Sequence, residues 1–260
     1  MRKLSLVLGA AVMMVAGLEA TSVAGAGFES VDFPTAGGIK ARADLYESKS
    51  PSPTLILLFH QAGSSRGEYR EIAPKLVELG YRVMAVDQRS GGVLNHVPNE
   101  TYQRAAKKRL ARSYLDAYAD LEAALAYARK ELKAQRIIVW GSSYSASLVF
   151  RLTAEHPDEV TAVMAFSPGE YFEKGKGADY IEGFAKRVKQ PVFVTSAKKE
   201  REQVKPIFDA SPAEKKILFT PASKGQHGSR ALWAKWPDND VYWTAVKGFL
   251  QSYAPGAAPN

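Results

Sequence analysis

The chain of 260 residues contains no cysteine. A disulfide framework, a thiolate metal site, a cysteine nucleophile and a lipid-modified cysteine are thereby excluded. Histidine is scarce, with four in the whole sequence, so each candidate base can be weighed individually. Apolar runs are short. The one of any length, Leu4 to Leu18, falls below the roughly 20 residues that a membrane-spanning helix needs. Acidic residues are outnumbered by basic ones, giving a formal net charge of +8. The basic runs Lys107-Lys108-Arg109, Lys198-Lys199 and Lys215-Lys216 lack interleaved aromatic residues and match no nucleic-acid motif. They read as solvated faces, and nucleic acid is not an expected partner. The surplus charge acts on anionic surfaces or substrates through long-range attraction alone.

What is present begins with Met1-Arg2-Lys3, then the apolar run, then the small residues Ala20 to Gly27. That is the order of a secretory signal. Cleavage is expected after Ala26, in Ala24-Gly25-Ala26, with Ala20 as the second site; an uncleaved anchor is the rival to removal. The expected organisation is a signal over 1–26, one domain over 27–253 and a flexible tail over 254–260. The mature protein is then secreted or periplasmic, with no stable membrane insertion once the signal is removed. A hydrophobic fraction of 46% suits a globular core.

Two alternating segments, Phe28–Phe33 and Ile39–Tyr46, flank Gly37-Gly38 and predict an antiparallel pair. Later strands are continuously apolar, as parallel strands covered on both faces are: Thr54–Phe59, Tyr81–Asp87, Ile137–Trp140, Val160–Phe166, Pro191–Thr195 and Ile217–Thr220. Helical segments alternate with them. The clearest spans Tyr114–Leu132, with Leu115, Tyr118, Leu121, Leu125, Ala128 and Leu132 at three- and four-residue steps. Others are expected over Glu68–Leu79, Ser143–Glu155, Asp179–Val188, Gln203–Asp209 and Asp240–Ser252. Alternation of this kind predicts an α/β fold, a mostly parallel central sheet of about eight strands with helices on both faces.

In such sheets ligands lie beyond the carboxyl ends of the strands. There the run Ile137-Ile138-Val139-Trp140-Gly141-Ser142-Ser143-Tyr144-Ser145 passes from strand to helix through Gly-x-Ser-x-Ser, a variant of the Gly-x-Ser-x-Gly nucleophile elbow. The sharp turn exposes the Ser143 hydroxyl and leaves the Tyr144 N–H to face an oxyanion. The loop His60-Gln61-Ala62-Gly63 after an earlier strand supplies the second donor, Ala62 first and Gln61 second. A serine needs a base. His227, between Gly225 and Gly228 after the last strand, is best placed; His60 reads as a structural hydrogen-bonder, His96 as part of a polar segment and His156 as a helix end. Glu200 is the expected acid, with Glu170 and Glu202 as alternatives, giving the chain order Ser…Glu…His. No metal or organic cofactor is called for, since no residues have ligand spacing and no phosphate loop is present.

These segments, together with Gly80-Tyr81-Arg82-Val83-Met84-Ala85-Val86-Asp87-Gln88-Arg89-Ser90-Gly91 and Gly225-Gln226-His227-Gly228, resemble the α/β-hydrolase family, and within it the dienelactone-hydrolase-like esterases. The resemblance covers nearly the whole chain after the signal. It implies that Asp87-x-Arg89-x-Gly91 braces the loops near the site. The sequence departs from the family at Gln61 and Ser145, where glycine is usual, and in using Glu rather than Asp. Dienelactone hydrolases typically use cysteine, so a carboxylic ester is the implied substrate rather than a lactone. Only Gly169 to Gln190 separates two successive strands, too little for a large cap; Ser90–Ser113 is the expected rim. The expected activity is that of a serine hydrolase on a small-molecule ester. A peptidase or thioesterase with the same triad, or a non-catalytic binding protein on this scaffold, are the alternatives.

Overall fold

The computed structural model describes residues 27–48 and 50–256. The expected signal over 1–26 lies outside the described residues. Strands β1 (Glu29–Thr35) and β2 (Ile39–Tyr46) pair antiparallel. β3 (Thr54–Phe59) leads through a 3-10 turn at Arg66–Tyr69 into α1 (Ile72–Glu78) and β4 (Arg82–Val86). A ribbon of β5 (Val93–Leu94) and β6 (Val97–Pro98), α2 (Glu100–Lys107) and α3 (Tyr118–Lys130) follow. Then come β7 (Arg136–Ser142), α4 (Tyr144–Glu155), β8 (Ala162–Phe166), α5 (Glu173–Lys176) and α6 (Tyr180–Ala185). β9 (Val192–Thr195), α7 (Arg201–Ala210), β10 (Lys216–Phe219) and α8 (Asn239–Tyr253) complete the chain.

The main sheet has 8 strands in the order β1-β2-β4-β3-β7-β8-β9-β10. β2 and β4 pair antiparallel, and every pairing from β4 onward to β10 is parallel. Because side chains alternate along a strand, β3 feeds two cores. Leu55, Leu57 and Phe59 join residues of α3, α4, α6 and α7 on one face. Ile56 and Leu58 join Trp140, Met164 and residues of α1 and α8 on the other. Burial on both faces is why these strands read as continuous apolar runs. The chain steps from β3 outward to β4 and later returns to the opposite side of β3 at β7. That reversal opens a crevice at the carboxyl ends of β3 and β7, where the loops with Gln61, Ala62 and Ser143 begin.

Three local expectations change. The helix foreseen over Glu68–Leu79 is broken, and α1 starts at Ile72. Pro74 is tolerated in a first turn, but its ring would clash with the Arg70 carbonyl in a longer helix. The rim Ser90–Ser113 folds into the β5–β6 ribbon and α2. Asn95 and His96 both have positive φ (51 and 60) at the tip of a two-residue hairpin, the geometry of a type I′ turn. Last, the segment 254–260 starts packed rather than free: Tyr81 Oη donates to the Ala254 carbonyl at 3.0 Å and Thr54 Oγ1 to that of Pro255 at 3.1 Å. Residues 257–260 lie outside the described residues.

Candidate active site

The elbow forms because β7 runs into α4 with a single residue between them. Ser143 takes φ 59 and ψ −124, a strained region for a residue with a side chain, costing on the order of 1–3 kcal/mol. Its N–H donates to the Phe166 carbonyl at 2.8 Å, and its carbonyl accepts from Ala146 N–H at 2.8 Å, so the backbone is held from both sides. A Cβ on Gly141 would stand 2.3 Å from the Ser145 carbonyl oxygen; only glycine fits there. Tyr144 opens α4, so its N–H has no partner within the helix. Ser145, where the motif usually has glycine, is fully buried and bonded. Its hydroxyl donates to the His60 carbonyl at 2.6 Å and accepts from Gln88 Nε2 at 2.6 Å. The departure at Ser145 and the Gln88 side chain are thus one arrangement.

The loop after β3 is fixed by His60. Gln88 N–H donates to His60 Nε2 at 3.0 Å, and Asn99 Nδ2 lies 3.0 Å from the same atom. The ring proton therefore sits on Nδ1, which donates to the Gln61 carbonyl at 2.8 Å. Full burial pushes this imidazole down to about 4, and hydrogen bonds to the Gln61 and Gln88 backbone offset only part of that. His60 is structural, as expected. Ser64 N–H also donates to the Gln61 carbonyl, at 3.2 Å. With Gly63 at φ 67, residues 61–64 form a type II turn, with Ala62 at its second position. Because the Gln61 carbonyl points inward and the peptide is trans, Ala62 N–H points the opposite way. Gln61 N–H, the second candidate for an oxyanion donor, is already taken: it donates to Glu68 Oε2 at 2.8 Å.

His227 follows β10, and the residues after it are tied to the elbow. Gly228 N–H donates to Ser167 Oγ at 3.0 Å, and Ser229 N–H to Ser142 Oγ at 2.9 Å. Trp140 Nε1 donates to Ser229 Oγ at 2.8 Å. Glu200 ends a 3-10 turn after β9, and its Oε1 lies 2.9 Å from His227 Nδ1. Ser167 Oγ at 2.8 Å and Ala197 N–H at 3.2 Å donate to the other oxygen. Burial pushes the Glu200 carboxyl up, but the hydrogen bonds from His227, Ser167 and Ala197 outweigh it, and the group ends below the usual carboxylate range. The alternative acids are elsewhere. Glu170 accepts from Ile181 N–H and Glu182 N–H, both at 2.8 Å, and so caps α6; Glu202 is exposed on the first turn of α7. His156 lies 3.1 Å from Glu159, far along α4 from the elbow.

The brace expected of Asp87 and Arg89 is present. Asp87 accepts from Arg66 N–H at 2.7 Å and from Glu100 N–H at 2.9 Å, and pairs with the Arg66 guanidinium. Arg66 also reaches Asp44 and Glu100. Arg89 grips Asp120 through Nε at 2.9 Å and Nη2 at 2.8 Å. These pairs anchor the loops after β3 and β4 to β2, α2 and α3.

Four residues near this constellation were not singled out in the sequence: Glu68, Ser142, Ser167 and Tyr171. Tyr171 Oη donates to the Ser167 carbonyl at 2.8 Å and its phenol is within hydrogen-bonding reach of the Ser143 side chain. Burial pushes that phenol up to about 12. Ser167 carries a positive φ of 58, which only a structure shows. Among the described residues no group of His, Asp and Glu could hold a metal ion, and no helix is long and apolar enough to cross a membrane.

Solved structures with this architecture are numerous and distant in sequence. The chain is similar to esterase Pf2001 of Pyrococcus furiosus, at 18% identity and TM-score 0.67, covering 87% of this chain and 93% of that one. A dienelactone hydrolase from Anabaena variabilis gives 16% identity and TM-score 0.67, covering 87% and 98%. Est1E of Butyrivibrio proteoclasticus, solved with ferulic acid bound, gives 16% identity and TM-score 0.66, covering 86% and 98%. No functionally curated protein matches. The family model Hydrolase_4, described as serine aminopeptidase S33, matches residues 50–231. That span runs from just before β3 to just past His227, so it takes in the elbow, the loop with Ala62 and the Glu200–His227 pair. The chain belongs to this hydrolase family, and its fold is that of the α/β-hydrolases.

Proposed function

We propose that this protein is an exported serine hydrolase that cleaves a carboxylic ester through an acyl-enzyme on Ser143. The observation that carries the reading is the Glu200–His227 contact of 2.9 Å, on a loop bonded to the strained elbow. A carboxylate acceptor keeps the imidazole proton on Nδ1 and leaves Nε2 as the base. Ser143 Oγ then attacks the acyl carbon as its proton passes to His227 Nε2. The Ala62 and Tyr144 N–H groups hold the oxyanion, two such donors being worth a few kcal/mol each. Collapse expels the alcohol oxygen, which takes the proton from Nε2, and the ester carbonyl is left on Ser143. Water repeats the sequence with His227 as base and releases the acid.

A fluorophosphonate probe tests this directly. Covalent labelling of Ser143 that disappears in His227→Ala supports the reading; a folded Ser143→Ala variant that still turns over ester removes Ser143 from the mechanism. The family's description as an aminopeptidase favours a second reading, cleavage of an N-terminal aminoacyl bond by the same triad. Ester, thioester and aminoacyl-anilide substrates compared on one preparation separate the two. Export rests on the charged start, the apolar run and Ala24-Gly25-Ala26. A mature protein beginning at Gly27 or Thr21 would support it, and an intact Met1 in fractionated cells would count against it.

A further inference from the structure

Glu68 is a fully buried carboxylate that the mechanism above does not use. A buried charge is costly unless it is well bonded, so what it touches is informative. Its Oε2 accepts from Gln61 N–H at 2.8 Å, with Gln61 Nε2 at 3.4 Å from Oε1. Oε1 also accepts from the Ser142 hydroxyl at 2.7 Å. Ser142 is the donor of that bond, since an ionised carboxylate only accepts, and its own oxygen takes the Ser229 N–H at 2.9 Å. One side chain therefore joins three loops: the one with Ala62, the elbow, and the one with His227. Glu68 is in turn held by its own backbone, whose carbonyl accepts from Trp233 Nε1 at 2.9 Å. Burial raises its carboxyl, opposed by the bonds from Gln61 and Ser142 and by the charges of Arg230 and His227.

We propose that Glu68 is a positioning residue for acyl transfer: by fixing Gln61 N–H and Ser142 it aims Ala62 N–H at the oxyanion and holds the His227 loop against the elbow. The inference rests on the reading of Ser143, His227 and Glu200 as the triad. The His60–Gln61 peptide is gripped from both sides, its carbonyl by Ser145 and its N–H by Glu68. The next peptide carries the Ala62 N–H. Released from Glu68, the first peptide is held by its carbonyl alone, and the second, tied through the Gln61 carbonyl to His60 Nδ1 and Ser64 N–H, shifts with it through the two soft dihedrals of Gln61. A misdirected donor harms the transition state, where charge sits on the oxygen, more than it harms substrate binding.

The test uses the full mature protein and the Glu68→Gln variant, which keeps the size but has a single acceptor oxygen. Expected is a fall in kcat of about 10- to 100-fold with KM within about threefold, part of the 10²–10³ that one oxyanion donor supplies. Affinity for an arylboronate, which mimics the tetrahedral adduct, is expected to fall by the same factor as kcat. In an Ala62→Pro background, where the donor is already gone, E68Q is expected to cost clearly less than in the wild type, because the part that acts through Ala62 is already lost and coupled sites are non-additive. A folded E68Q protein with wild-type kcat, or losses that multiply in the double variant, would overturn the proposal. If E68Q does not fold, Glu68→Asp is read the same way: depressed kcat at constant KM supports the proposal, and unchanged kcat overturns it. Fluorophosphonate labelling of the wild type keeps the two readings apart. Labelled wild type with an unaffected E68Q overturns the role of Glu68 alone, whereas unlabelled wild type overturns the Ser143 reading and this one with it.

Discussion

Ser167 and Glu200 share a hydrogen bond of 2.8 Å, and the same Ser167 oxygen accepts the N–H of Gly228 at 3.0 Å. One hydroxyl thus sets both the acid and the backbone beside His227. Ser167→Ala is expected to lower kcat about tenfold, the loss of roughly one hydrogen bond in the transition state. Glu200→Gln, which permits the wrong imidazole tautomer, is expected to cost about 10³- to 10⁴-fold. Steady-state kinetics on one ester at saturating substrate checks both, and an E200Q loss no greater than that of S167A would remove Glu200 as the triad acid. The Glu200 carboxyl lies below its ordinary 4.5 in the folded protein. Its stabilising contribution is therefore full above that value and is lost as pH falls below it.

Ala62→Pro deletes one N–H with little other change. The second position of a type II turn favours proline, and the turn is closed by Ser64 N–H on the Gln61 carbonyl at 3.2 Å, a bond that does not involve Ala62. Activity is expected to fall by about 10²- to 10³-fold while the thermal midpoint holds. Circular dichroism melts beside kinetics decide it: full activity in A62P would show that the oxyanion donor lies elsewhere.

The fold was legible because its strands are buried on both faces. Thr54–Phe59 has no polar residue after Thr54, and β3 occupies those same six residues. The elbow was legible because Gly141 and Ser143 must stand at fixed spacing between strand and helix. Glu200 was legible only as one of several acids. The choice between Glu170, Glu200 and Glu202 depends on which loop tip faces β10, a tertiary fact; Glu170 caps a helix more than ten residues ahead of it. Glu68 was not legible at all. A glutamate at the start of an expected helix reads as solvated, and its burial depends on Gln61, Ser142 and Trp233 converging from distant parts of the chain.

Ser145→Ala tests whether the variant elbow is structural. Removing the hydroxyl takes one partner each from the Gln88 amide and the His60 carbonyl, which keep each other at 3.3 Å, the amide also keeping Tyr144 Oη at 3.2 Å. A lost hydrogen bond between groups that keep other partners costs about 0.5–1.5 kcal/mol, and at about 2–4 °C per kcal/mol the midpoint is expected to drop by roughly 1–6 °C. Ser145 does not touch the reacting atoms, and the His60–Gln61 peptide stays held by Gln88 Nε2 at the His60 carbonyl (3.3 Å) and by Glu68 at Gln61 N–H, so kcat at 25 °C should stay within about threefold of wild type. A large kcat loss without a lower midpoint would place Ser145 in the chemistry instead.

His60 makes the fold sensitive to mild acid. Its imidazole, buried and bonded as a neutral ring, is pushed down to about 4 from an ordinary 6.5. Between those values the unfolded chain binds a proton that the folded chain refuses, so stability falls as pH is lowered through that window. At 1.36 kcal/mol per pH unit, the loss reaches roughly 3 kcal/mol near pH 4. The buried Asp87 carboxyl, pushed up to about 6, takes up its proton more readily folded than unfolded and so acts with the opposite sign below that value, while the Glu200 contribution disappears only below its ordinary 4.5. The His60 effect is therefore read as a difference: in melting curves at pH 7, 6 and 5, the wild type is expected to lose more stability with falling pH than a cooperatively folding His60→Asn variant. Protonation of the ring would also free Gln88 N–H and disturb the peptide that aims Ala62, so activity lost on acidification should return on neutralisation. Wild-type and His60→Asn melting points that change in parallel across this range would mean that His60 takes up its proton without destabilising the fold.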